Sequence, residues 1–138
     1  VLAAALVAGA IGLRFRFKRA RRLEEAGRVA RELIPEIQAV LASCDPAGAS
    51  MKEPVAGGRF ALVRQRLPAI LPRETLFAVE TFYQSVEAYA RSSEEMTAAF
   101  SDGSELSLGD RIRAKDRRDR CLKDVYYTGE AALQRLQK

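Results

Sequence analysis

The first thirteen residues of the chain carry no charge, and the next nine carry six positive ones. The cations are Arg14, Arg16, Lys18, Arg19, Arg21 and Arg22, and no acid appears before Glu24. An apolar stretch closed by a basic block is the pattern with which a helix leaves a lipid bilayer on its cytoplasmic side. At about 1.5 Å per residue, thirteen residues reach roughly 20 Å, against a hydrocarbon core of about 30 Å. The run is short by about seven residues and open at its left end, where the chain begins with Val. The expectation is a truncated transmembrane helix over residues 1–13, followed by a basic juxtamembrane segment over 14–22. Two other readings stay open. One is a buried helix of a soluble core. The other is a secretory signal, which is opposed by charge order, because signals place their cations before the apolar run.

The net charge of +5 resolves into this local feature. Without those six residues the balance is 17 cations against 18 acids, so the remainder is close to neutral. A partner that answers to the cluster is the anionic membrane surface, at about 1 kcal/mol per basic side chain near it. Phe15 and Phe17 alternate with the cations and are placed to dip into the headgroup region. Ala5 and Gly9, four apart, permit close helix contact but arise easily in an Ala-rich segment. Positive residues stay inside, which puts residues 23–138 on the cytoplasmic side. That remainder is long enough for one domain.

The rest of the chain reads as helices. Leu23, Ala26, Ala30, Leu33, Ile37, Val40 and Cys44 fall at alternating spacings of three and four, an amphipathic stripe with one face to bury. Pro35 lies inside it and predicts a kink near residues 31–33, or a break into two helices. Residues 45–58 are rich in Pro, Gly and Ser and read as a loop. Residues 59–67 read as a short helix. Pro68 and Pro72 bracket a rigid corner that turns Ile70 and Leu71 toward the core, and Pro72 suits the opening of the next helix. Over residues 73–100, Leu76, Val79, Phe82, Tyr83, Val86, Tyr89, Ala90, Met96 and Phe100 keep the same rhythm. The run 101–104 is turn chemistry. A last helix starts near Ser107, where Ser107 and Asp110 form an imperfect capping box with Asp in place of Glu. Its apolar residues, Leu108, Ile112, Leu122, Val125, Tyr126, Ala132, Leu133 and Leu136, flank a charged waist over 113–120. No segment alternates long enough for a strand. The expected class is all-α: an apolar N-terminal helix continuing into an antiparallel bundle of three long helices and one short one.

The chain offers few residues for chemistry. The chain has no His, the commonest general base and metal ligand, and only two cysteines, Cys44 and Cys121. Both fall on apolar stripes and read as small buried side chains. No phosphate loop, nucleophile elbow or paired metal-ligand motif is present, although Gly57-Gly58-Arg59 could touch an anion. No catalytic residue, cofactor or metal is expected, and no small-molecule substrate. Glu80, Glu87 and Glu94 recur every seven residues as a line flanking the aromatic helix. Antiparallel packing about residue 103 places Glu87 opposite roughly residue 119, which suggests a register-fixing bridge from Glu87 to Arg118. Arg111, Arg113, Lys115, Arg117, Arg118 and Arg120 invite a nucleic-acid reading, but Asp110, Asp116, Asp119 and Asp124 dilute it. Interleaved charge usually marks a solvated face. Tyr126 belongs to the stripe, and Tyr127 falls outside it.

The leading expectation is a membrane-anchored, non-enzymatic interaction or scaffold module that binds itself or another protein, with the heptad face of the first helix available to seed a coiled coil. The alternative is a soluble regulatory bundle with the N-terminal helix in its core, in which residues 111–123 would be the surface for nucleic acid.

Overall fold

The computed structural model describes residues 1–44 and 58–138. Every regular element among them is an α-helix: α1 (Leu2–Ser43), α2 (Gly58–Val63), α3 (Leu67–Ile70), α4 (Arg73–Ala99) and α5 (Leu108–Leu136). The loop expected over 45–58 lies outside the described residues, except for Gly58, which opens α2. The single short helix expected over 59–67 is two pieces. The chain turns at residues 64–66 and restarts as α3 with Pro68 in its first turn, where a missing N–H costs nothing.

α1 runs without interruption through Pro35. Leu33 and Ile37, on either side of the proline, are fully buried on the same core, and Val40 nearly so. Packing on both flanks outweighs the one backbone hydrogen bond that proline removes, so the alternative of two helices is not taken. α1 has two unlike halves. Its C-terminal half buries Val29, Leu33, Ile37 and Val40, with Cys44 closing the stripe. The buried row starts at Val29 rather than at Leu23, which is 67% exposed. Residues 1–24 are exposed throughout. The helix up to residue 18, about 25 Å of it, stands clear of the bundle.

α4 and α5 form an antiparallel hairpin, and α1 lies chiefly along α5. The core is one cluster that gathers α1, both short helices, α4 and the second half of α5. Phe82, Leu33, Ile37, Leu67, Val79 and Val125 are its largest fully enclosed side chains. Ile70 and Leu71 are buried at the proline corner, as the sequence implied. On α4 the buried row continues through Ser92 and Ala99, while Ala90 and Phe100 face outward. On α5 it reads Leu122, Val125, Gly129 and Ala132.

Gly129 is the tightest point of this packing. A Cβ built there would sit 2.6 Å from Leu41 Cδ2 and 3.1 Å from Phe82 Cε2. The absence of a side chain lets α5 approach α1 and α4 at once. Gly103, in the α4–α5 connection, has φ +87°, the left-handed turn conformation that a glycine adopts without a Cβ penalty.

No residue between 108 and 120 is buried. Here α5 packs on α4 without a third described helix, and the hairpin extends as a two-helix arm. This accounts for the charged waist: the first half of α5 has one neighbour and needs only a narrow apolar contact. The capping box forms in the imperfect version expected. Ser107 Oγ accepts from the Asp110 N–H at 3.2 Å and donates to Asp110 Oδ2 at 2.7 Å.

That serine hydroxyl, with Arg113 beside it, holds the Asp110 carboxyl below an ordinary aspartate's 3.8. A carboxylate with a depressed folded pKa adds stability above the unfolded value and loses it as pH falls through the folded one. The first turn of α5 is therefore expected to fray below pH 3.8, later than an unassisted aspartate would allow. Amide exchange at residues 108–111 and the Asp110 carboxyl shift, followed by NMR down the acid limb, measure this. Ser107→Ala should move the Asp110 titration upward.

No helix among the described residues is long and apolar enough to cross a membrane. The transmembrane-like part of the expected fold is thus corrected to an exposed helix with a thirteen-residue apolar tip. The buried-helix alternative is corrected as well. Leu2 is 81% exposed and Leu6 72%, and Val7, Ile11 and Leu13 are each more than half exposed, so the N-terminal helix is not part of the core.

Candidate functional site

The six cations of residues 14–22 all lie on the projecting half of α1 and all are exposed. At 100° per residue, Arg14, Arg16, Lys18, Arg19, Arg21 and Arg22 point around most of the helix circumference. Phe15 and Phe17 are exposed between them, at 73% and 68%. None of the six makes an ion pair with another described residue. The acids that follow, Glu24 and Glu25, begin only where the helix meets the bundle.

The apolar tip has its own geometry. With no polar side chain between residues 1 and 13, it has no wet face and no dry face. A helix lying flat on a membrane surface needs one of each. A helix apolar all round is one that becomes buried.

The register bridge is found elsewhere. Arg118 pairs with its own neighbour Asp119 at 2.8 Å, and Glu87 is exposed. The cross-helix pairs are Glu95 with Arg117 and Glu74 with Arg135, each at 2.6 Å. Ser92 Oγ lies 3.3 Å from Cys121 Sγ. These pairings bring Glu87 level with residues 122–126, one to two turns beyond the expected 119. The reason is an asymmetric connection. The first turn of α5 overhangs the end of α4, which also leaves Leu108 and Ile112 exposed at 71% and 50%. Both ion pairs are on the surface, where such pairs contribute at most about 1 kcal/mol.

Of the charged waist, Arg113, Arg117 and Arg118 are engaged with Asp110, Glu95 and Asp119. Arg111 donates to the Ser104 carbonyl at 3.3 Å. What remains is a mixed face rather than the single-sign stripe that tracks phosphates. Neither Cys44 nor Cys121 is joined in a disulfide. Burial pushes the Cys44 thiol above its usual value and makes it a poor nucleophile. Among the described residues no group of three acids or cysteines could hold a metal ion.

Sequence reasoning missed one polar constellation. Glu36 on α1 accepts the Tyr83 hydroxyl proton at 2.7 Å and the Arg59 N–H at 3.0 Å. Phe60 stacks on the Tyr83 ring, with centroids 3.9 Å apart and planes within 7°. One carboxylate thus ties α1, α2 and α4 together. Burial first, then the hydrogen bond and charge of Glu36, push the Tyr83 phenol well above its usual value. The proton is held harder than on a free phenol, the reverse of what an acid catalyst needs. The only signal in the sequence was a Glu adjoining an apolar stripe, which is shared by most helices.

The chain matches no protein-family model, no curated protein and no solved structure.

Proposed function

We propose that this protein is a non-enzymatic interaction module attached to a membrane through residues 1–13, with its bundle held at an anionic, cytoplasmic-side surface by the cations of residues 14–22. One observation carries the reading: the uncharged tip and the basic segment stand together outside the core, so neither is explained by folding of the bundle. Exposed apolar surface costs about 25 cal/mol per Å². A tip whose large side chains are half to fully exposed gains that energy only by entering lipid or another apolar phase. Six cations next to it favour lipid with anionic headgroups, by several kcal/mol in total.

The far end supports the interaction half of the proposal. The α4–α5 arm carries exposed Phe100, Leu106, Leu108 and Ile112 around its tip. α4 spans about 40 Å between that tip and the end from which α1 projects. A module of this shape meets lipid at one end and offers an apolar contact, to a second copy or to another protein, at the other.

Fractionation tests the proposal. The attached module stays in the membrane pellet through a high-salt wash. Release into the supernatant overturns it.

A further inference from the structure

Where α1 leaves the bundle, it forms an open groove of about 630 Å³ with α3, the start of α4 and the end of α5. That volume lies within the range of about 300–1,000 Å³ typical of sites for small organic ligands. The groove is amphipathic along its length. Arg19 and Arg22 stand at the end nearest the basic segment, with Lys138 at the rim. Its apolar lining is the half-buried Ala26 and the edge of the exposed Leu23 on α1, with Ile70, Leu71 and Leu136.

No acidic residue lines it, and Arg19, Arg22 and Lys138 form no ion pair with another described residue. Arg135, also in the wall, is engaged by Glu74. A second groove of about 670 Å³, between α4 and α5, contains Glu74 together with Arg73 and Arg135, which leaves a net charge of +1. A third groove of about 480 Å³, lined by Phe15, Arg16, Lys18, Arg19 and Arg22 on α1 alone, shares the positive charge but has no aliphatic wall, so the groove at the foot of α1 is the one that joins cations to aliphatic side chains.

Resting on the membrane-attachment reading, we propose that this groove holds one anionic phospholipid, its phosphate on Arg19 and Arg22 and one acyl chain along Leu71 and Leu136. The charge selects the headgroup: two guanidinium groups three residues apart on one helix face match a phosphate diester. The apolar walls select a chain and not a soluble phosphate. Position supplies the lipid, because about 9 Å of helix separates Leu13 from Arg19. Binding would fasten the end of the bundle to the leaflet in addition to the helix tip, and so fix the direction in which the α4–α5 arm points.

The test uses the whole chain in nanodiscs that contain a trace of phospholipid with a photoactivatable acyl chain, with either a phosphatidylglycerol or a phosphatidylcholine headgroup. Labelled residues are mapped by mass spectrometry. The expected result is labelling within 68–72 and 133–138 by the glycerol lipid, at least tenfold above the choline lipid. Arg19→Ala with Arg22→Ala should abolish that excess without changing the melting temperature, since both side chains are exposed and unpaired among the described residues. Labelling confined to residues 1–18, or equal labelling by both headgroups, overturns the groove while leaving the attachment intact. If the chain does not co-elute with nanodiscs, the attachment reading fails. The groove is then read separately by adding the same photoactivatable chain on lysophosphatidylglycerol to the protein in solution, where unlabelled 68–72 and 133–138 overturn it.

Discussion

Gly129→Leu is expected to destabilise the bundle by about 3 kcal/mol or more, at the upper end of what overpacking a filled core costs. The first carbon alone would lie 2.6 Å from Leu41 Cδ2 and 3.1 Å from Phe82 Cε2. Leu41 is half-buried and can turn aside, but Phe82 is fully enclosed and cannot. A leucine brings three more carbons into the same space. For a domain of this size the melting temperature should fall by about 10 °C or more. Gly129→Ala is the graded control. It gains up to about 1 kcal/mol of helix propensity and loses more to the contact, for a small net cost. Combining Gly129→Ala with Leu41→Ala should then recover part of the loss, a coupling readable in a double-mutant cycle. Thermal and urea melts measure the parent, Gly129→Leu, both alanine singles and their double, five proteins in all. A Gly129→Leu variant as stable as the parent would mean that α5 does not approach α1 this closely.

Leu6→Arg together with Ile11→Arg should release the chain from membranes. An arginine in the middle of an apolar helix opposes insertion by about 2.5–3.5 kcal/mol and one near its end by less, so the pair lowers partitioning by about two orders of magnitude or more. Both positions are exposed and touch nothing in the core, so the melting temperature should not move. The separation matters. A change in membrane attachment with no change in stability assigns residues 1–13 to the membrane and not to the bundle. Flotation on liposomes with and without phosphatidylglycerol provides the measurement. The double variant floating as well as the parent would end the attachment reading. Replacing the six cations with Gln should instead leave attachment to neutral liposomes intact and remove the preference for anionic ones.

Most of the helical organisation was legible along the chain because three-four spacing of apolar residues has one stable outcome, a helix with a face to bury. The stripes through Leu33, Ile37 and Val40, and through Val79, Phe82 and Val86, all reach the core. So do the corner residues between Pro68 and Pro72. Local hydrogen-bonding chemistry was equally readable, as at Ser107 and Asp110. Stripe ends were not. Leu23, Ala90 and Phe100 keep the rhythm yet face outward, because periodicity says which side a residue is on and not whether a neighbour reaches that far. The predicted Glu87 bridge failed for a related reason. Register depends on how the 100–107 connection is built, and an overhang there moves every cross-helix partner.

The candidate site divides along the same line. The sequence determined its electrostatics: an uncharged tip, six cations after it, and a near-neutral remainder are properties of composition and order that no fold can alter. Whether that tip lay inside or outside the core depended on which surfaces α5 and the short helices had left to cover it, and the tertiary structure leaves it uncovered. Glu36 meeting Tyr83 and Arg59, Gly129 admitting Leu41 and Phe82, and Arg19 and Arg22 overlooking Leu71 and Leu136 were also decided there. Each joins residues far apart in the chain, and spacing along one helix carries no information about what a second helix brings to it.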